Sequence, residues 1–391
     1  MKRIIGAGVV AFALIGGCTA HQPQVPPPPP LALQASTTLH QAEAAAQRAD
    51  AAAARAEAGA ARAEQTSQRV EVATENLAGR MTEAFGEQEV RNLKKISTHE
   101  HYRAGGDIKP YLAVMARANI EKAIFLPTDW PPSNPHAREN LKELLALKRR
   151  YPERIVVFAT AYDKDPAAAE VIEQALKDGA QGIKFIDWLA SATYPDDAGP
   201  VDSPNMLGVY EIARRYQAPV LLHIDFQKRP DWKQQFDRVA AAFPTVTFIL
   251  AHYCRAASGE KPELTLCADT LDRFPNVAVD LSMGGGLKRY MRYFDDAPEL
   301  WRAFVLRYQD RILWGTDLIL DDNPGKNADW IWRRMLTDFS MLQTVTYQSP
   351  FHQDDKSLHQ GLALPAAVLR KIYYDNPQRL LFTAKRPSPS R

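Results

Sequence analysis

Cysteine is scarce: a chain of 391 residues has three, too few for a disulfide framework or a cysteine-rich zinc site. An excess of either charge is also missing. Lys and Arg number 48 against 46 Asp and Glu, a formal net charge of +2, which argues against a nucleic-acid-binding surface and against an acidic solvating tail. The apolar run at 4–17 is shorter than the ~20 residues of a membrane-spanning helix. What is present is 46% hydrophobic residues, which excludes a wholly disordered chain, and enough length for one large domain of ~250–300 residues plus something extra. The composition is uneven: alanine and proline crowd the first hundred residues, and Trp, Phe and Tyr crowd the rest.

The first part reads as address and spacer. Lys2 and Arg3 precede the apolar run 4–17, the pattern of a signal peptide. Ile15-Gly16-Gly17-Cys18 resembles the bacterial lipobox, which implies cleavage before Cys18 and lipidation of Cys18. Thr19 behind it leans, by the same resemblance, toward the outer membrane. Segment 18–34 contains five consecutive prolines, Pro26 to Pro30, and is expected to form a stiff polyproline spacer. Segment 35–92 is alanine-rich and proline-free, hence a long helix. Arg48, Arg55, Arg62 and Arg69 recur every seven residues, and a seam through Ala46, Ala49, Ala53, Ala56, Ala60 and Ala63 makes a heptad pattern. Either a single solvated stalk or a weak homo-oligomerising coil satisfies that pattern.

From residue 94 to 385 the texture changes. Eight β-rich runs, at 95–101, 123–127, 155–160, 182–186, 219–225, 246–252, 277–282 and 312–318, alternate with helical stretches such as 138–149, 166–178, 205–216, 230–243 and 264–274. Eight βα units of this size predict an α/β fold, a (β/α)8 TIM barrel. A doubly wound open sheet is the rival, but no Gly-rich dinucleotide turn follows the first run.

Catalytic groups in such barrels sit at the C-terminal strand ends. Of nine histidines, His99, His101, His223 and His252 end expected strands, and Asp317 ends the eighth. His99 and His101 are two apart and therefore share a face. Asp317 comes from the strand that neighbours the first when the barrel closes, and His223 from the opposite wall. Three imidazoles and a carboxylate suit one divalent ion, Zn²⁺ first, with Fe²⁺, Mn²⁺ or Co²⁺ as alternatives. The open position would take a water whose pKa falls toward ~7. His252 is expected to carry protons rather than hold the ion. Lys184 points inward by parity, toward a substrate anion, as a carboxylated bridge in a two-metal site, or in a buried ion pair. Arg103 could bind a substrate carboxylate through its fork, or be an exposed loop residue. Trp130 and Trp188 could wall the pocket. Gly284-Gly285-Gly286 reads as a flexible mouth loop. Cys254 and Cys267 could pair outside the cytoplasm, though spacing alone shows no geometry.

These residues resemble the amidohydrolase superfamily, in its amidohydrolase-related branch with aminocarboxymuconate semialdehyde decarboxylase. The resemblance rests on His99-Glu100-His101, on Pro219 to His223, on Phe248 to His252, on Leu313-Trp314-Gly315-Thr316-Asp317 and on Asn376-Pro377-Gln378-Arg379-Leu380. It implies a mononuclear ion held by His99, His101, His223 and Asp317, with His252 assisting proton transfer. One departure is Ser97, where the branch usually has aspartate. The expected activity is metal-dependent hydrolysis of a C–O or C–N bond in a small-molecule substrate. The alternatives are a metal-dependent non-oxidative decarboxylase, or an inactive barrel serving as an envelope adaptor.

Overall fold

The computed structural model describes residues 91–127, 136–186, 200–256 and 263–382. The signal, Cys18, the proline spacer, the alanine-rich segment, Trp130 and Trp188 lie outside the described residues. Strands and helices alternate: β1 (Lys95–Tyr102), α1 (Lys109–Arg117), β2 (Ile120–Pro127), α2 (His136–Arg150), β3 (Ile155–Ala159), α3 (Ala168–Lys177), β4 (Gly182–Ile186), α4 (Pro204–Tyr216), β5 (Val220–His223), α5 (Pro230–Ala242), β6 (Phe248–Leu250), α6 (Thr265–Arg273) and β7 (Val277–Asp280). Two helices, α7 (Leu287–Asp296) and α8 (Pro298–Arg307), then lead to β8 (Ile312–Leu313) and β9 (Ile319–Leu320). A longer helix, α9 (Ala328–Gln343), follows.

Local chemistry explains the element ends. Ser203 caps α4 by accepting from Met206 N at 3.3 Å, with Pro204 in the first turn where no N–H is needed. Asn327 caps α9 through Trp330 N at 3.0 Å. In α3 the buried residues Ala168, Ile172 and Ala175 form the stripe that packs inward.

Within the nine-stranded sheet every neighbouring pair is parallel, in the order β8-β7-β6-β5-β4-β3-β2-β1-β9, and a short antiparallel pair, Thr346–Tyr347 with His359–Gln360, is separate from it. The outermost members, β8 and β9, are two pieces of one chain segment, so the sheet closes on itself. Between them the main chain stays bonded to β1: Thr98 N to Trp314 O at 2.9 Å, Asp317 N to His99 O at 2.8 Å and His101 N to Leu318 O at 2.7 Å. The expected eighth strand, 312–318, is therefore present but interrupted. Asp317 takes a left-handed φ of 55°, and the Glu100 carboxylate accepts from Thr316 N at 3.2 Å and Leu318 N at 3.1 Å. A side chain replaces the ladder acceptors that the irregular backbone cannot reach.

Two apolar layers follow from strand alternation. Phe248, Leu250, Val277, Val279 and Ile312 face the helices, whereas Ile124, Val156, Phe158, Leu221, Ile249, Ala278 and Leu313 fill the barrel, plugged at one end by Leu381. Asn376 secures the closing segment by donating to Gln309 O at 2.7 Å and Ile312 O at 2.8 Å.

Candidate active site

Inward parity delivers most of the site. Lys184 pairs in register with Leu221, a barrel-interior residue, and His223 lies two residues further along β5. On β7, Asp280 lies two residues beyond the interior Ala278. On β1 the register slips between Ser97, opposite Ala123, and Glu100, opposite Phe125, which inserts one extra residue. This bulge puts Ser97 and Glu100 on one face, where Ser97 Oγ donates to Glu100, and turns His99 and His101 to the other. Position 97 therefore does not face the ligand cluster, and serine there leaves that cluster untouched.

His99 Nε2 lies 3.2 Å from His101 Nε2 and 3.4 Å from Asp317 Oδ1, and His101 Nε2 lies 3.0 Å from the same Oδ1. Lys184 Nζ is 3.3 Å from His99 Nε2. Behind this cluster His99 Nδ1 donates to Asp280 Oδ2 at 2.8 Å, so Nε2 presents its lone pair. His252 Nδ1 lies 2.8 Å from the Ser282 carbonyl, an acceptor only, so its Nε2 is the bare nitrogen and lies 3.9 Å from Asp317 Oδ2. Ser282 Oγ donates to Asp280 and sits 3.0 Å from His99 Nδ1 and 2.9 Å from His252 Nδ1. His223 packs edge-on against His252 with ring centroids 4.7 Å apart. His99 and Asp280 are fully buried, while the Asp317 side chain is 19% exposed, so the cluster opens on the Asp317 side.

Burial sets the protonation states. It lowers the pKa of His99, helped by Lys184, and that of His101; His223 is driven well down and His252 to about 4. All four imidazoles are neutral at neutral pH, as ligation and base catalysis require. Burial alone would raise the Asp317 and Asp280 carboxyls, but the surrounding histidines hold both below the ordinary range, Asp317 well below it. Burial lowers Lys184 to about 8 against the pull of Asp280 and Asp317.

Three candidate electron-pair donors, His99 Nε2, His101 Nε2 and Asp317 Oδ1, converge, with the tautomer of His99 fixed from behind. That donor set fits a divalent cation of intermediate hardness. The structure groups these three, and His99, His252 and Asp280 as a second close set. His223 stands beside His252 rather than inside the triad. Arg103 lies just beyond β1, solvent-exposed, and is not part of the buried cluster. Gly284–Gly286 is a turn of 3-10 helix, not an open loop, and the α-carbon of Gly284 lies against Asp317. Asp280 and Ser282 escaped sequence reasoning. Both lie at the end of the seventh β-rich run, two residues apart, and the parity that selected His99 and His101 would have selected them.

The segment after β6 departs from parity. His252, Tyr253, Cys254 and Arg255 have φ of 57°, 52°, 54° and 60°. A non-glycine residue in this region costs roughly 1–2 kcal/mol. Cys254 and Cys267 form a disulfide, with Cα atoms 5.7 Å apart.

Glu100 gives the site a pH signature. Burial pushes its carboxyl up to about 7, against the Ser97 and Thr316 donors that pull it down. The folded chain then keeps a proton that the unfolded chain releases from about pH 4.5 upward. Stability falls as pH rises from that value to about 7, by on the order of 3 kcal/mol, and the cost is constant above. Glu100→Gln is expected to flatten the profile in this window. Denaturant melts at several pH values check it, and parallel profiles for the two chains would refute it.

A closed parallel barrel with His, Asp and Lys side chains at the C-terminal strand ends defines a (β/α)8 enzyme of the metal-dependent type. The family model described as amidohydrolase matches residues 89–383, and the chain belongs to that family. A probable 2-pyrone-4,6-dicarboxylic acid hydrolase from Acinetobacter baumannii, solved with citric acid bound, is similar at 12% identity and TM-score 0.51, over 74% of this chain and 99% of that one. An uncharacterised TIM-barrel protein from Bordetella bronchiseptica is similar at 15% identity and TM-score 0.50, over 74% and 98%. A 2,6-dihydroxybenzoate decarboxylase from Rhizobium reaches 17% identity and TM-score 0.44, over 74% and 98%. No curated protein matches significantly.

Proposed function

We propose that the barrel is a hydrolase acting on a C–O or C–N bond of a small-molecule substrate with one divalent ion, Zn²⁺ in preference to Fe²⁺, Mn²⁺ or Co²⁺. His99, His101 and Asp317 would hold the ion, with His223 from the opposite wall completing the set. The ion when bound would supply an acidified water and polarisation of the substrate's carbonyl. The observation that carries the reading is the split use of Asp317: Oδ1 faces the two histidines, and Oδ2 faces the bare Nε2 of His252, 3.9 Å away. His252 Nε2 accepts the proton of the attacking water and returns it to the leaving group, while Ser282 O keeps the ring oriented through Nδ1–H. Lys184 contributes a buried positive charge beside the cluster, suited to a substrate carboxylate or oxyanion. Arg103, at the exposed end of β1, is proposed as a second contact for the substrate's acid group.

Turnover on ester, lactone, amide and aromatic-acid panels in ¹⁸O water tests the reading. Label in an acid product supports hydrolysis; release of CO2 without label assigns the decarboxylase alternative instead; no turnover at full ion occupancy leaves the adaptor reading. His252→Asn is expected to keep the ion and lose turnover by ~10²–10⁴-fold, the usual worth of a positioned acid–base group. Loss of the ion in that variant would make His252 a ligand.

We also propose that the chain is a lipid-anchored envelope protein on the periplasmic side, of outer-membrane type by Thr19, with Cys18 as the lipidated residue. Segments 18–34 and 35–92 would serve as spacer and stalk, the latter allowing self-association. The Cys254–Cys267 disulfide supports an oxidising compartment. Cys18→Ser should move the protein from the membrane to the soluble fraction. Unchanged membrane association would remove the anchor.

A further inference from the structure

His252 sits where its strand would not put it. Along β6, Phe248 and Leu250 pack outward against the helices, and Ile249 and Ala251 face the barrel axis. Simple alternation would turn residue 252 outward. The left-handed run from His252 to Arg255 reverses that direction and brings the ring to 5.0 Å from His99 and 4.7 Å from His223, centroid to centroid. None of the four residues is glycine, so each side chain opposes the conformation, and such a run persists only where its surroundings over-determine it.

The restraints can be named. Asp280 Oδ1 accepts from His252 N at 3.0 Å, and Tyr290 Oη donates to His252 O at 2.8 Å. Tyr253 is buried against Tyr290, Phe294 and Trp301. Cys254, at the centre of the run, is tied covalently to Cys267 on α6. The first restraints hold the ends of residue 252 and the ring of 253, and the disulfide holds the following residue to a separate helix.

We propose that the Cys254–Cys267 disulfide is a positioning device for His252: it locks the left-handed turn that aims the imidazole into the active site, and opening it releases that aim. The catalytic meaning rests on His252 as proton carrier; the conformational claim does not. Reduction is balanced by a dithiol such as dithiothreitol. The cystine gains two electrons and two protons and becomes two thiols, and the reagent loses the same and closes to its cyclic disulfide.

The test uses the full chain with ¹⁵N-labelled histidine, with and without Zn²⁺, the His252 signal being assigned by its loss in His252→Asn. In the oxidised chain that signal should show the Nδ1–H form. Reduction at unchanged far-UV circular dichroism should shift it toward mixed tautomers and speed amide exchange at 252–256 by about tenfold, equivalent to about 1.4 kcal/mol, with β1 to β5 unchanged. An unmoved ring signal and unmoved exchange would overturn the proposal. A rescue pair separates backbone positioning from simple cross-linking. Cys254→Gly with Cys267→Ala should keep the Nδ1–H signature, because glycine accepts the left-handed backbone, and Cys254→Ser with Cys267→Ala should lose it. Identical behaviour of the two would also overturn it. If the ring responds as expected while His252→Asn leaves turnover intact, the proton-carrier reading fails and the positioning stands.

Discussion

Asp317→Asn is expected to reduce bound divalent ion from about one per chain to a trace and to lower turnover by at least ~10³-fold, the worth of several kcal/mol of lost charge stabilisation. The substitution keeps the shape of the side chain and removes its charge. In the native chain Oδ1 is 3.0 Å from His101 Nε2 and 3.4 Å from His99 Nε2, and it carries the negative charge of the triad. The neighbouring histidines hold this carboxyl ionised far below neutral pH, so the ligand form is present under all ordinary conditions. An amide in its place offers a weak carbonyl and directs an N–H₂ at nitrogen lone pairs. It also leaves the buried Lys184 with Asp280 as the counter-charge that remains beside it in the cluster. Metal analysis by atomic emission, beside circular dichroism to confirm the fold, decides the matter. Full ion occupancy in the variant would remove Asp317 from the ligand set.

Two glycines should separate fold from site. A Cβ on Gly315 would come within 2.7 Å of both the backbone N and the Cβ of His99, so a neighbouring strand would have to move. Gly315→Ala is therefore expected to cost about 1–3 kcal/mol of stability by overpacking, and to lower the melting temperature by several degrees. A Cβ on Gly284 would instead overlap Asp317 Oδ2, the free end of a side chain, at a backbone φ of 46°. Gly284→Ala should push that carboxylate aside and lower ion affinity by ~10–100-fold, as loss of a supporting contact does, beside a stability cost of about 1–2 kcal/mol from its positive φ. The contrast is the prediction. Thermal melts and competitive chelation on both variants check it, and equal effects on stability and affinity in the two would refute it.

The (β/α)8 order was readable because each unit carries its own periodicity. The expected helix 205–216 is observed as Pro204–Tyr216, and 230–243 as Pro230–Ala242. The helices at Leu287–Asp296 and Pro298–Arg307 went unread, and so did the interruption of the eighth strand. That interruption depends on Glu100, whose hydrogen bonds reach across 216 and 218 residues of chain, a distance no local pattern encodes. The family resemblance drawn from short motifs agrees with the family model across 89–383.

By itself the sequence determined the alternation of strands and helices, the closed barrel as the way to bury it, and the set of histidines and aspartate at strand ends, because hydrophobic period and strand parity are local properties. Only the tertiary structure decided which nitrogen of His99 and of His252 is bare, that Asp280 and Ser282 stand behind those two rings, and that His252 faces the site at all. Those depend on contacts between strands far apart in the chain and on a left-handed turn whose cost is met by its surroundings rather than by its own residues.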